Sequence, residues 1–151
     1  MLRPSKKMLF AIEAVLDIAY HAGGEPVQSR EITRRQGIPR RYLEQTLQQL
    51  VRAGVLVGVR GPRGGYRLAR ERRRISVGEV VRVVRSLETT EDPFADMPAS
   101  DLGKLVIRPM WGELSEEIMA RLDAITIDDL CMRSYKTGIP SEAHAKLDFT
   151  I

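Results

Sequence analysis

The stretch IPRRYLEQTLQQLVRAGVLVGVRGPRGGYRLAR, residues 38–70, decides the fold of this chain. Its first half spaces leucines among polar residues at helical steps, and its second half sets short apolar segments around a glycine-rich tip. Glycine permits the positive φ angles and close backbone approach that a tight hairpin requires. A polar-faced helix followed by a glycine-tipped, arginine-rich hairpin predicts a winged helix-turn-helix.

The helix predicted over residues 40–53 separates its faces. Leu43, Leu47 and Leu50 recur at helical steps and are expected to face the core. Arginine, glutamate and glutamine can read base edges, but they are also good helix formers on any solvent-exposed surface. This helix alone therefore leaves DNA recognition and a plain solvated face equally open. The exposed set consists of Arg41, Glu44, Gln45, Gln48 and Arg52.

The hairpin carries more positive charge than a structural hairpin needs. Arg60, Arg63 and Arg67 crowd the tip, RGPRGG at residues 60–65, and the second strand. Such a wing is typical of a protein that lies along a phosphate backbone or in a minor groove. A nucleotide-binding loop is disfavoured, because the lysine that must follow its last glycine is missing. One strand face is expected to hold Val55, Val57, Val59, Tyr66 and Leu68.

Residues before this stretch complete the helix-turn-helix. A short helix is expected to begin with Ser29 as its N-cap and to end at a left-handed Gly37. Because the turn to the next helix is so short, the two helices must cross steeply. A first helix, over residues 6–22, is predicted from the steps of Leu9, Ile12, Leu16 and Ala19.

The predicted fold class is mainly α with a small β-hairpin, a winged helix-turn-helix domain plus a long dimerisation helix. A fourth helix begins at Ser76 with capping-box spacing and closes the domain, residues 1–88. An acidic, proline-broken linker follows at residues 89–101. Residues 102–138 hold the dimerisation helix and a C-terminal helix, and residues 139–151 form a tail. The stripe of the fourth helix is Val77, Val80, Val81, Val84 and Leu87.

The dimerisation helix is inferred from an apolar stripe longer than one small domain needs. Pro109 either starts this helix or kinks it. Two-fold symmetry would place two recognition helices about one DNA turn, roughly 34 Å, apart. The alternative is that the stripe folds back on its own domain. Its members are Ile107, Trp111, Leu114, Ile118, Leu122 and Ile125.

Charge divides the chain into unequal halves. Residues 1–90 hold 18 Lys and Arg against 8 Asp and Glu, a net +10, whereas residues 91–151 hold 6 against 12, a net −6. This contrast indicates a polyanionic partner for the first half. No apolar run reaches the about 18 residues of a membrane span, and no cleavage site follows the N-terminus, so we expect a cytoplasmic protein. No catalytic constellation is present, so we expect no enzyme.

The chain resembles the Rrf2 family of bacterial transcription regulators. The carrying motifs are YLEQ at residues 42–45, AG at 53–54 and RGPRGGYRLAR at 60–70, supported by KMLFAIEAVLDIA at 7–19 and ITIDDL at 125–130. The resemblance implies a dimer that represses or activates by binding a pseudo-palindromic operator in double-stranded DNA.

The resemblance assigns roles to particular residues. Arg41, Glu44 and Gln45 fall on base-reading positions, and Arg60 falls on the minor-groove arginine. Lys7, ahead of the first helix, matches a basic residue near the DNA backbone, and Ser29 offers a hydroxyl and N–H to phosphate or serves as a plain N-cap. The predicted DNA-binding set is Lys7, Ser29, Arg40, Arg41, Glu44, Gln45, Arg60, Gly61, Arg63, Gly64 and Gly65.

The cysteines that hold an iron–sulfur cluster in some relatives are missing from this chain. Those proteins carry three closely spaced cysteines in the region that follows the fourth helix, whereas residues 88–110 here contain neither Cys nor His. Soft thiolates are needed to hold an iron–sulfur cluster, so no cluster and no other cofactor is expected. Cys131 is interpreted as a small buried apolar residue rather than a redox switch, and His21 as a surface residue; His144 lies in the tail.

The function predicted is a sequence-specific, homodimeric DNA-binding regulator, with repression favoured over activation. The alternative is a winged-helix module that binds protein, because fold alone does not determine function. An effector at the dimer interface, a partner enzyme and Cys131 chemistry stay open as means of control.

Overall fold

The computed structural model describes residues 3–88, 94–98 and 100–143. Within these residues six α-helices and one two-stranded antiparallel sheet form, which confirms the predicted fold class. None of the helices in these ranges is long and apolar enough to cross a membrane. In chain order the elements are α1 Lys6–His21, α2 Ser29–Gln36, α3 Arg40–Arg52, β1 Leu56–Val59, β2 Gly65–Leu68, α4 Val77–Leu87, α5 Arg108–Ala124 and α6 Ile127–Lys136.

Helix α1 is central and is buried on more than one side. Ser5 caps it, because its Oγ accepts the N–H of Met8 at 3.2 Å. Helices α2, α3, α4 and α6 all pack against α1. The face of α1 that was predicted to be apolar, which includes Leu9, is therefore not its most buried face. Leu9 is 45% exposed. The core-facing residues are Ala11, Ala14, Val15 and Ile18.

The helix-turn-helix forms as predicted. Gly37 adopts a φ of 68°, the left-handed conformation that lets the chain leave α2. Ile38 is buried within the turn, and α3 starts after Pro39, whose restricted φ suits this position. The turn between α2 and α3 therefore consists of three residues, 37–39.

The start of α2 differs from the prediction by one residue. Ser29 is the first helical residue rather than the N-cap, and Gln28 precedes the helix. The Glu31 carboxylate accepts the N–H of Gln28 at 2.9 Å. A carboxylate at the positive end of a helix is a strong acceptor, so Ser29 is not needed for capping.

The predicted apolar faces of α3 and α4 are largely confirmed. Ser76 caps α4 by accepting the N–H of Glu79 at 3.1 Å, but the Glu79 carboxylate pairs with Arg70, so the return bond of a capping box is not made. Leu87, at the end of α4, is 50% exposed. The buried members are Leu43, Leu47, Leu50, Val77, Val80, Val81 and Val84.

The first strand of the hairpin has the opposite phase from the one predicted, whereas Tyr66 and Leu68 of the second strand pack against the core as predicted. Leu56 lies opposite Leu68, and Val57 lies opposite Arg67. Leu56 is buried, whereas Val57 is 43% exposed. The reason is that Val55 still belongs to the turn after α3, where its N–H bonds an α3 carbonyl at 3.0 Å. Both Val55 and Leu56 therefore point into the core.

Residues 101–124 form one helical run that contains a π-helical turn, Gly103–Ile107, before α5. The N–H of Arg108 bonds the carbonyl of Gly103, five residues back. Pro109 follows directly. Proline lacks an N–H and its ring crowds the carbonyl four residues earlier, so the wider turn accommodates it within a helix that has already begun.

Helix α6 returns to the core of the first domain. Ile127 and Cys131 are buried, and α6 packs against α1. Two backbone hydrogen bonds of 2.8 Å join the segments that precede α4 and α6. The predicted domain boundaries stay a prediction, although α6 shares its core with residues 1–88.

His21 is buried, which corrects the prediction of a surface residue. It is 7% exposed, because the chain returns to it after α6 and the N–H of Glu142 donates to its Nδ1 at 3.1 Å. Burial lowers the pKa of His21 below 6.5, against the raising effect of the Asp17 charge. The imidazole is therefore neutral at pH 7. The prediction for His144 lies outside the described residues.

Candidate nucleic-acid interface

The outer side of α3 carries the residues predicted to read bases. Arg41 and Gln45 are exposed. Arg40 and Glu44 lie one turn apart and form an ion pair, with 3.0 Å between Nε and Oε1. Exposed pairs at this spacing contribute only about 0.5 kcal/mol, so a base edge can compete for the Glu44 carboxylate at little cost.

The wing presents arginines that have no internal role. Arg60, Arg63 and Arg67 are exposed, and no carboxylate of the described residues lies within ion-pair distance of them. By contrast, several arginines beyond the wing are paired: Arg70 pairs with Glu79, Arg72 with Asp128 and Arg82 with Asp123. The hairpin thus offers three free guanidinium groups to an external anion.

The tip of the wing is a tight loop that depends on glycine. Gly61 adopts a φ of 110°, and its carbonyl accepts the N–H of Gly64 at 2.9 Å. A Cβ at Gly64 would lie 2.2 Å from the Val59 carbonyl oxygen, which no side chain tolerates. The loop geometry therefore requires glycine there.

The wing is anchored to the chain that enters α2. Val27 and Tyr66 exchange two backbone hydrogen bonds of 2.8 Å, and Gln28 Nε2 donates to the Pro62 carbonyl at 3.4 Å. These bonds leave an open cleft of about 310 Å³ between the wing and the starts of α2 and α3. The cleft is lined by Gln28, Ser29, Arg30, Arg40, Pro62, Gly64, Gly65 and Tyr66.

Lys7 lies in the first turn of α1. It is thus inside the helix predicted over residues 6–22 and not ahead of it, and its Nζ is 5.8 Å from the centre of the Tyr42 ring. Lys7 and Gln45 line a second cleft beside α3. The structure thus brings Ser29, Arg40 and the wing glycines together and places Lys7 and Gln45 in a separate group.

Two exposed residues at these clefts were missed by the sequence interpretation. Tyr42, 47% exposed on α3, forms one wall beside Lys7. Arg30, in the first turn of α2, lines the wing cleft next to Ser29. An aromatic residue on the polar side of the predicted recognition helix was the available signal for Tyr42, and a cation beside a helix start was the signal for Arg30.

The predicted dimerisation stripe divides into two parts. Ile107, Leu114 and Ile118 are each between 45% and 47% exposed, and Trp111 is half-buried. Leu122 and Ile125 pack against the chain's own core. No residue of α5 is buried within the chain. Further exposed apolar side chains lie on the same helical run, namely Leu102, Leu105, Val106 and Met110.

An iron–sulfur cluster, which the resemblance raises as a possibility, needs several thiolate ligands. Cys131 is the one cysteine of the chain, and its side chain is buried between α6 and α1. Burial raises the pKa of its thiol, which disfavours the thiolate that binds metal. Among the described residues no three His, Cys, Asp or Glu side chains group as metal ligands. The residues present do not fit a cysteine-held cluster.

An exposed polar helix beside an anchored wing with free arginines defines a DNA-binding protein of the winged helix-turn-helix class. The sequence pattern of the Rrf2 family, described as "Iron-dependent Transcriptional regulator", matches residues 4–133. The chain therefore belongs to the Rrf2 family.

Relatives and solved structures agree with this membership. The "HTH-type transcriptional regulator IscR" of Vibrio cholerae is 36% identical over 133 residues, which cover 87% of this chain and 76% of the relative. "Protein rrf2" of Nitratidesulfovibrio vulgaris is 32% identical over 122 residues, covering 80% and 81%. The structure of "T. potens IscR" superimposes with a TM-score of 0.74 at 32% identity, covering 92% of this chain and 93% of that one.

A second solved structure, that of CymR, the global cysteine regulator of B. subtilis, has a TM-score of 0.70 at 28% identity and covers 88% and 98% of the two chains. These relatives are named as transcription regulators. The predictions of the family, of a DNA-binding regulator and of a protein that is not an enzyme are confirmed. The individual DNA-contacting residues stay predictions.

Proposed function

We propose that this regulator is a homodimeric repressor that binds a pseudo-palindromic operator. The observation that carries the proposal is the set of three free arginines on a wing held against α2, beside the polar face of α3. The wing arginines suit the backbone or the minor groove, and α3 suits the major groove. A dimer bound across an operator would repress by excluding other proteins from the same DNA.

The homodimer is supported by the apolar surface of residues 102–118. Large side chains along this run stay about half exposed or more in one chain. Contiguous exposed apolar surface of this kind marks an association site. A second copy related by a two-fold axis would cover it and would repeat the recognition helix about 34 Å away, as a palindromic site requires.

We further propose that the protein works without an iron–sulfur cluster, because it supplies a single buried cysteine. Protein purified without oxygen should be colourless and should contain no stoichiometric iron. A brown preparation with visible absorption would overturn this part of the proposal.

The test of DNA binding is the salt dependence of operator affinity. Operators are first selected from fragments of the parent genome, and the dissociation constant is then measured over a range of salt concentrations. Each phosphate contact contributes a slope of about 0.9 in log K against log salt, so several contacts give a steep fall. Arg60→Ala should reduce the slope by about one contact. A flat salt response would favour a winged-helix module that binds protein.

A further inference from the structure

The segment of residues 139–142, here called the clasp, returns from α6 to the end of α1. The Tyr20 hydroxyl donates to the Ile139 carbonyl, and the Ser141 hydroxyl donates to the Tyr20 carbonyl at 2.6 Å. The N–H of Glu142 donates to His21 Nδ1 at 3.1 Å. These contacts join residues that are 119 to 121 positions apart in the sequence.

The clasp also holds α2 through two arginines. Arg34 Nη2 donates to Glu142 Oε1 at 3.0 Å, and Arg35 Nη1 donates to Glu142 Oε2 at 2.7 Å. Burial would raise the pKa of Glu142, but the Arg34 hydrogen bond and the Arg35 charge lower it below its ordinary value. The carboxylate is therefore charged at neutral pH and bridges the last turn of α2.

On its other side Arg35 is bound to α1. Its Nε and Nη2 donate to Asp17 Oδ2 and Oδ1 at 2.8 and 2.7 Å, and Gln36 Nε2 adds a bond of 2.8 Å to Asp17. The Asp17 side chain is fully buried and that of Arg35 is 10% exposed. Buried charges are costly unless paired. The end of α2 is thus held between one carboxylate from α1 and one from the clasp.

Helix α2 connects the Arg35 site to the wing cleft, so a shift at one end of this short helix would move the other end. Helix α2 has 8 residues and is about 12 Å long, so it moves as one body. Its first residues, Ser29 and Arg30, line the wing cleft, and its last residue leads into the three-residue turn to α3. Loosening the clasp would therefore change where α2 and α3 meet an operator.

We propose that the clasp positions α2 for operator binding, with Glu142 as the positioning residue that holds Arg34 and Arg35. This inference rests on the proposed assignment of the α2 start to the DNA interface. The simpler possibility is that the clasp only covers α1 and stabilises the chain without influencing the interface. The two possible roles of the clasp predict different operator affinities for a clasp variant, measured well below its unfolding temperature.

The experiment compares Glu142→Ala with Glu13→Ala in the full chain. Glu13 is an exposed carboxylate of α1, and no partner for it lies among the described residues. We expect Glu142→Ala to weaken operator binding about five- to tenfold, within the ordinary range of coupling between sites. The salt slope should fall by about 0.9, as the loss of one phosphate contact predicts. Glu13→Ala should match the wild type.

The outcomes separate this inference from the proposed function. A wild type without salt-sensitive operator binding overturns the proposed function and the clasp with it. The second outcome is that the wild type binds and that Glu142→Ala folds, binds with the same affinity and salt slope, and unfolds at a lower temperature. This outcome overturns only the inference about the clasp. If Glu142→Ala does not fold, Ser141→Ala removes two uncharged hydrogen bonds of the Ser141 hydroxyl, one to the Tyr20 carbonyl and one from the Ala143 N–H. Weaker operator binding by that variant supports the inference, and unchanged binding contradicts it.

Discussion

The guanidinium of Arg35 binds the buried carboxylate of Asp17 through two hydrogen bonds, 2.8 Å from Nε to Oδ2 and 2.7 Å from Nη2 to Oδ1. We expect Asp17→Asn to lower the free energy of unfolding by about 3–5 kcal/mol, because it leaves a nearly buried charge without its main partner. Urea denaturation measures the loss.

Asp123→Asn is the matched control for this change. Asp123 also accepts two bonds from one arginine, Arg82, at 2.6 and 2.7 Å, but this pair is exposed to solvent. Its loss should be much smaller, because exposed ion pairs are screened by water. Equal losses of unfolding free energy in Asp17→Asn and Asp123→Asn would show that burial does not determine how much the Arg35–Asp17 pair contributes to stability.

The stability of the protein should fall in mild acid because of His21. Burial lowers the pKa of His21 below its ordinary 6.5, so the unfolded chain binds the proton more readily than the folded chain. The contribution of the neutral imidazole is therefore fully present above pH 6.5 and declines as the pH falls through 6.5 towards the folded pKa. The groups facing His21 are Asp17 and Tyr20 of α1, Arg34 and Arg35 of α2, and Glu142 of the clasp.

The measurement is urea unfolding at about pH 7.5 and about pH 5.5, on either side of the histidine range. His21→Asn is the comparison, because an amide oxygen can accept the Glu142 N–H but does not titrate there. The wild type should lose more stability than His21→Asn on acidification. Parallel losses in both proteins would assign the acid sensitivity to other groups.

The wing tip should not tolerate a side chain at Gly64. A Cβ there would lie 2.2 Å from the Val59 carbonyl oxygen, so Gly64→Ala must distort the loop between Arg60 and Arg63. Operator affinity should fall about tenfold, as expected if one or two phosphate contacts are lost. Gly58→Ala is the control, because nothing lies within 4 Å of that Cβ. If Gly58→Ala weakens binding equally, tip geometry is not the cause.

Glu44 and Lys7 should affect operator binding in different ways. Glu44→Ala should alter the preference among operators that differ at one base pair, by about 1–3 kcal/mol for a direct base contact. Lys7→Ala should weaken all operators alike and reduce the salt slope by about one, as a phosphate contact does. Competition binding with single-base operator variants distinguishes the two. A common effect of both substitutions would contradict this division of roles.

Ile118 and Leu122 lie one turn apart on α5 and should respond differently to substitution. Ile118 is 47% exposed in one chain, so Ile118→Glu should shift sedimentation from dimer to monomer. Leu122 packs against the chain's own core, so Leu122→Ala should lower the free energy of unfolding by about 2 kcal/mol and leave the dimer intact. A dimer that survives Ile118→Glu would exclude this surface as the interface.

Local features of the chain were predictable from the sequence because their causes are local. Gly37 marks the end of α2, the leucine steps mark the buried face of α3, and the glycines of residues 60–65 mark the wing tip. Each depends on the φ angle or periodicity of neighbouring residues. The resemblance to the Rrf2 family rested mainly on motifs within residues 42–70, which are likewise readable from neighbouring residues.

Other features depended on partners that no local pattern contains. Lys7 was expected near DNA by resemblance, but its position over Tyr42 depends on how α1 crosses α3. That contact joins two helices that are far apart in the sequence. The reversed phase of β1, by contrast, has a local cause, because the Val55 N–H bonds the carbonyl of Leu50 at the end of α3.

The winged helix-turn-helix and the membership of the Rrf2 family could be predicted from the chain alone, because the helix ends, the turn and the wing each depend on neighbouring residues. The burial of His21 and the contact of Glu142 with Arg35, 107 positions away, depend on how the chain folds back on itself. Periodicity shows which face of a helix is apolar, but it does not show which distant segment covers that face. The ion pairs that hold α2 became visible only when the folded chain brought them together.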